Sequence, residues 1–262
     1  MKILKLRDEP FVTPKDVQLP YADEYGVPHG AAYRPFLNAQ TPRESTRSTF
    51  RGLKFRRRFE ALSESEKKIL FTLGFHPYVV DVRDQYYLYD PKHYYAAQAA
   101  GNRMLRSRAM TVDIVVTYVL PVDRRLRYHG VSVKHPDYTA DEADVRREQR
   151  EWHELSQRGW TWELLRGDAV TGTEYANNFV MYRSVRETNV HGRYEEARWF
   201  SDVLKRSSRR GTMDAVFRRI SNRTGISQDD AHRLLAVAAC FGFIEVDHRM
   251  PLLPDSPLHL ID

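Results

Sequence analysis

The chain has 262 residues, 42% of them hydrophobic, with 41 Lys and Arg against 35 Asp and Glu and a net charge of +6. That length and apolar content suit one large or two modest domains with real cores. Composition also excludes several classes: no stretch approaches the ~20 apolar residues of a membrane span, no Cys/His cluster has zinc spacing, and no Gly-rich loop could cradle a nucleotide phosphate.

Residues 1–42 are rich in Pro, Tyr and turn formers and read as an extended arm. The segment Met1 to Pro10 lacks the apolar core of a signal peptide. A dense basic strip follows, with Arg43, Arg47, Arg51, Lys54, Arg56, Arg57 and Arg58 opposed only by Glu44. Such a strip reads either as phosphate contacts or as a solvated face. Arg51 to Phe59 is expected as a strand.

Ser63 to Phe75 is expected as a helix. Ser63 and Glu66 form an S-x-x-E capping box ahead of Ile69, Leu70 and Leu73. Those three lie i+3, i+4 and i+7 from Glu66, so the acid shares the apolar face. Glu66 is therefore a cap or a buried acid that needs a partner or a metal. Val79 to Leu88 reads as a strand. Asp90 to Arg108 reads as a polar, aromatic loop, with Tyr94 and Tyr95 available to stack on bases. Arg103, Arg106 and Arg108 close it as a second basic group.

Thr111 to Leu120 alternates as a strand, with Val112, Ile114, Val116, Tyr118 and Leu120 on one face and Asp113 on the other. Gly130 to Lys134 alternates too, with Ser132 and Lys134 opposite Val131 and Val133. Joined through the polar turn Asp123 to Arg125, the two strands bring Asp113, Ser132 and Lys134 together. An acid on one strand and S-x-K on the next suit a metal-dependent nuclease. Hard oxygen ligands hold magnesium, and a lysine stabilises charge developing on the phosphate or orients water.

A helix is expected from Thr139 to Arg158, with a capping box at Thr139 and Glu142 and a stop at Gly159. Val145, Glu148, Trp152 and Leu155 form its stripe. Glu148 either stands behind the metal ligands, pairing with Lys134, or is a charge on the helix flank. Trp160 to Leu165 is the next strand. This order implies an α/β fold, a mixed sheet flanked by helices, over 1–170.

Gly167 to Gly172 reads as a hinge. Beyond it, Tyr194 to Leu204 and Met213 to Ile220 look helical, and Ser227 caps a helix through Cys240. Cys240, the single cysteine, excludes an internal disulfide and reads as a buried apolar residue in a reducing compartment. Phe243 to Asp247 and Leu258 to Ile261 could pair as a hairpin. Helices followed by a hairpin suggest a winged-helix-like, mainly α domain over 171–262. From Thr171 onward there are 13 Lys and Arg against 12 Asp and Glu, so protein is the expected partner of this half rather than DNA.

Several of these phrases resemble the TnsA family, the endonuclease subunits of heteromeric transposases. The likeness rests on Leu62 to Glu66, Leu73, Val80 to Tyr86, Thr111 to Asp113 and Val131 to Lys134. Arg47-Ser48 and Trp152 fit as well. The D-x-R-[ED]-Q-[YF] phrase after a Glu-bearing helix is its most specific part. The resemblance implies a restriction-endonuclease-like catalytic domain and a winged-helix-like second one. It implies that Glu66 and Asp113 hold Mg2+, for which Mn2+ substitutes, with the Val133 carbonyl as a further ligand and Lys134 as the catalytic lysine. Family members often carry Gln or Glu where this chain has Ser132, whose shorter hydroxyl would act directly or through a water. Arg47, Arg56, Arg57, Arg58 and Arg103 become the expected DNA contacts. The implied activity is cleavage of the 5′ strands at transposon ends in cut-and-paste transposition. The implied partners are double-stranded DNA, a DDE-type transposase and an ATP-dependent regulator docking near the C-terminal part. The expected setting is the cytoplasm of a prokaryote, with no membrane partner. A stand-alone endonuclease for defence or repair and a non-catalytic DNA-binding scaffold are the other readings.

Overall fold

The computed structural model describes residues 2–6, 10–37, 47–55, 57–89, 91–102, 104–105 and 109–261. Arg43, Arg56, Arg103, Arg106 and Arg108 lie outside them. The chain is mixed α/β, built on a four-stranded sheet of β3 (Val79–Tyr89), β4 (Ala109–Val119), β5 (Leu126–Lys134) and β6 (Thr161–Arg166), in that spatial order. The first two pairings are antiparallel and β5–β6 is parallel, so the sheet is mixed. The parallel pair needs a crossover, and α3 (Glu142–Gln157) supplies it.

Helices cover both faces. On one, α1 (Glu64–Gly74) packs Ile69, Leu70 and Leu73 against Val82, Ile114, Val116, Val131 and Val133. On the other, Leu155 of α3 joins Tyr86, Val112, Val115 and Trp160. The single apolar face expected for Val112, Ile114 and Val116 is therefore corrected: the strand turns over at Asp113, opposite the irregular Gln85, and Val112 faces away from Ile114 and Val116. Gly130 makes that approach possible, because a Cβ there would stand 2.3 Å from the Leu155 Cδ1. The β4–β5 turn is held as its polar residues suggest, with Arg127 paired to Asp123 at 2.7 Å.

Ser63 caps α1 as expected, its hydroxyl accepting the Glu66 N–H at 3.1 Å. Gly159 ends α3 in the left-handed region, at φ 70°. Other expectations are corrected. Asp141, not Thr139, caps α3, in a reciprocal box with Asp144. An aspartate there accepts the same N–H and adds a charge at the positive helix end. The single strand expected over Arg51 to Phe59 is instead a hairpin of β1 (Ser48–Arg51) and β2 (Arg58–Ala61). The expected loop after β3 contains α2 (Pro91–Ala99), which carries Tyr94 and an exposed Tyr95.

The N-terminal arm lies on the body rather than extending away from it. Ile3, Val27 and Tyr33 are buried, and Asp23 takes a buried ion pair from Arg83 at 2.6 Å and the Tyr86 hydroxyl at 2.7 Å.

The remainder is mainly helical: α4 (Gly172–Val185), α5 (Tyr194–Lys205), α6 (Met213–Thr224) and α7 (Gln228–Phe241), then a minimal pair of β7 (Glu245–Val246) and β8 (Leu260–Ile261). The sequence reading missed α4. It packs on α1, where Phe71 meets Tyr175, Phe179 and Tyr182. Helix α7 is buried from Leu234 through Phe241 in a core shared with Phe71 and Phe75 of the α1 region. Its apolar residues are therefore core and offer no docking patch. Among the described residues no helix is long and apolar enough to cross a membrane.

Candidate active site

Asp113 sits where the sheet comes apart. The β4–β5 ladder stops at the Ile114–Val131 pair. The Asp113 carboxylate fills the opening by accepting the Val133 N–H at 2.7 Å. On its other side, β3 departs from regular geometry at Gln85, at φ 50° between the pairs Asp84–Ile114 and Tyr86–Val112. A non-glycine residue there is uncommon and marks local strain. The irregularity lets the Gln85 amide reach Glu66 Oε2, at 3.1 Å.

Glu66, Asp113, Val133 and Lys134 line one cleft of about 850 Å³. Glu66 is a capping residue and a cleft acid at once. It accepts the Leu62 N–H at 3.0 Å and the Ser63 hydroxyl at 3.2 Å while remaining buried beside Asp113. Burial, then repulsion from Asp113, pushes its carboxyl up to about 8. Burial likewise pushes Asp113 up to about 6, with Glu151 adding repulsion and the Val133 N–H, Arg147 and Lys134 opposing it.

Two desolvated carboxylates facing one space disfavour joint ionisation, and a hard cation between them relieves that cost. Magnesium commonly takes one or two protein carboxylates and fills its shell with water and substrate phosphate. The donors present fit that requirement. Among the described residues no group of three or more His, Cys, Asp or Glu side chains is placed to hold a metal ion.

Lys134 reaches the cleft rim, with its Nζ 3.9 Å from Asp144 and 4.6 Å from the centre of the Tyr138 ring. Ser132 turns elsewhere: its hydroxyl donates to Glu151 and accepts from Trp162 Nε1 at 3.1 Å. Glu148 does not pair with Lys134 but accepts the Tyr138 hydroxyl at 2.5 Å. The inward acid of α3 is Glu151, 2% exposed and bonded to Arg147 Nε at 3.0 Å. The expected stripe is rotated, with Val145 and Trp152 facing outward. Only Leu155 of the apolar stripe is buried, and Glu151 lies one turn before it.

The basic strip divides as well. Arg47 lines the cleft. Arg57 does not face DNA: it is buried, paired to Asp84, and donates to the Val82 carbonyl at 2.6 Å. Lys54 is also buried, donating to the carbonyls of His76 and Val79 at 2.7 and 2.8 Å. Arg58 is exposed and paired to Glu60 at 2.8 Å. The expectations for Arg56 and Arg103 fall outside the described residues. The structure adds Arg147, Arg150 and His153 to the cleft wall.

No protein-family model matches the chain, and no curated protein matches it.

Proposed function

We propose that the chain is a magnesium-dependent DNA endonuclease with a restriction-endonuclease-like catalytic part. The observation that carries this reading is the convergence of Glu66, Asp113 and Lys134 on one cleft, at the point where β4 and β5 separate. Glu66 and Asp113 would hold the metal, with the Val133 carbonyl as a further donor. When bound, the cation supplies charge neutralisation and a more acidic water. Lys134 stabilises the charge growing on the scissile phosphate and orients the attacking water. Glu151 clamps the Ser132 hydroxyl and so fixes the strand that carries Lys134. Arg47, Arg147 and Arg150 place positive charge along the cleft for the phosphate backbone.

The resemblance to the TnsA family extends the proposal to cleavage of 5′ strands at transposon ends, beside a DDE-type transposase and under an ATP-dependent regulator. Residues 171–262 are the winged-helix-like docking part in this reading. With α7 buried, partner contact in this reading uses other surfaces, such as the outer side of α5, where Trp199 is exposed.

The test is a nicking assay on supercoiled plasmid bearing transposon ends, with and without the partner transposase, in magnesium. Strand cutting by wild type and none by Asp113→Ala is the expected result. Equal cutting by both rejects the site. Robust cutting of any plasmid by the chain alone favours the stand-alone nuclease.

A further inference from the structure

From Asp81 to Tyr89 every residue of β3 pairs with β4 except Gln85, whose rung would fall on Asp113. Gln85 is also the residue at φ 50°. That left-handed conformation is disfavoured for a side chain with a Cβ and persists only where surrounding contacts impose it. Irregular rungs of this kind re-aim a side chain, and they gather beside active sites.

The contacts that impose it come from two directions. The Tyr33 hydroxyl, buried in the N-terminal arm, donates to the carbonyls of Asp84 and Gln85 at 2.9 and 3.2 Å. The Phe36 N–H donates to the same Gln85 carbonyl at 3.2 Å. From the β1–β2 hairpin, Arg57 pairs with the Asp84 carboxylate, which also accepts the Glu60 N–H at 2.7 Å. The strained residue is therefore held by a segment about fifty residues upstream.

The side chain of Gln85 is buried and ends on Glu66, with Nε2 donating to Oε2 at 3.1 Å. The same oxygen accepts the Leu62 N–H at 3.0 Å, while Oε1 accepts the Ser63 hydroxyl at 3.2 Å. A carboxylate oxygen has two lone-pair sites. Among the described residues these donors fill Oε2 and leave a lone pair on Oε1. Donors behind a carboxylate ligand orient it and tune its hold on a metal.

We propose that Gln85 is a positioning residue for Glu66, occupying Oε2 so that Oε1 is the oxygen offered to the cation, and that Tyr33 holds Gln85 in its strained conformation. The N-terminal arm is then part of the active site. The proposal rests on the nuclease reading of the cleft.

Mn2+ binding to the full chain, read from the electron paramagnetic resonance of the free ion, tests it without DNA or turnover. Wild type is expected to bind the ion, and Asp113→Ala to lose it. Gln85→Met keeps the length of the side chain and removes the donor, and should weaken binding about tenfold or more. In nicking assays part of its lost rate should return at high magnesium, which a merely structural defect would not give. Tyr33→Phe should weaken binding in the same direction by a smaller factor. Tyr33 does not line the cleft, so this variant carries the test if Gln85→Met melts far below wild type. Gln85→Gly separates strain from function. Glycine adopts this φ freely, so Gln85→Gly should melt above Gln85→Ala while both bind Mn2+ as weakly as Gln85→Met. Wild-type Mn2+ affinity in a folded Gln85→Met overturns the proposal, and unchanged affinity in Tyr33→Phe overturns the role of the arm. The two readings fail separately. Mn2+ binding that depends on Asp113 but not on Gln85 refutes the positioning role alone. Binding that depends on both residues, without any DNA cutting, refutes the nuclease alone.

Discussion

The carboxylate of Asp113 accepts the backbone N–H of Val133 at 2.7 Å, just past Ile114 and Val131, the last paired residues of β4 and β5. A hydrogen bond that would close the ladder is made by a side chain instead. The strands part there, and the parting opens the cleft that Glu66 and Lys134 share. The same contact orients Asp113, so its removal tests chemistry and local structure together.

Asp113→Ala and Lys134→Ala are each expected to lower the nicking rate roughly a thousandfold or more, through loss of metal-held charge stabilisation or of the lysine cation. Circular dichroism and duplex binding should stay close to wild type. Near wild-type nicking by Asp113→Ala in magnesium would rule out the assignment.

Ser132→Ala should cost far less activity than Lys134→Ala, because the Ser132 hydroxyl is engaged by Glu151 and Trp162 rather than turned to the cleft. The substitution strips buried Glu151 of a donor, so a stability loss of about 1–3 kcal/mol is expected from urea unfolding. Equal rate losses in the two variants would make Ser132 a direct participant.

Arg47 and Arg57 should separate in kind. Arg47 lines the cleft, so Arg47→Gln should lower the magnitude of the DNA-binding salt slope by about 0.9. Arg57 is paired to Asp84 in the interior. Arg57→Gln leaves a buried carboxylate uncompensated and should destabilise the fold by about 3–5 kcal/mol. A folded, fully stable Arg57→Gln with a reduced salt slope would restore Arg57 as a DNA contact.

Lys54 gives a pH signature. Burial pulls its ammonium down to about 8 from the usual 10.5, against a small opposing effect of Cys240. Between those values the unfolded chain binds the proton and the folded chain does not, so stability rises with pH across that window. Below about 8 the burial penalty is fully present, up to about 3 kcal/mol. The stability of wild type relative to Lys54→Met should therefore climb between pH 8 and 10, read by urea midpoints. A flat difference would mean that Lys54 keeps its ordinary proton affinity.

Helix α1, the β4–β5 hairpin and the end of α3 were legible because their signals are local. A serine three residues before a glutamate, apolar alternation from Ile114 to Tyr118 and a glycine after Arg158 act within a few residues. The grouping of Asp113 with Lys134 followed from the expected alternation, but the structure breaks that alternation at Asp113, with Val112 on the face of Val115 and Ile114 on the face of Val116. Helix α4 was not legible, because its inward face is partly polar. Asn177 accepts the Leu252 N–H at 2.8 Å and Asn178 donates to the Thr72 hydroxyl at 3.2 Å, so no apolar stripe announces it. Periodicity placed α3 but gave the wrong rotation, with Glu148 inward in place of Glu151.

What the sequence alone determined is where α1, β4, β5 and α3 lie and which residue types could do chemistry on them, since caps and alternating patterns are short-range physics. What only the tertiary structure decided is which of those residues meet. The burial of Arg57 against Asp84, the turn of Ser132 towards Glu151 and the strained Gln85 that bonds Glu66 each depend on elements distant in the chain. Burial and pairing belong to the packed molecule, and a charged side chain reads alike in sequence whether it faces solvent, a phosphate or a buried partner.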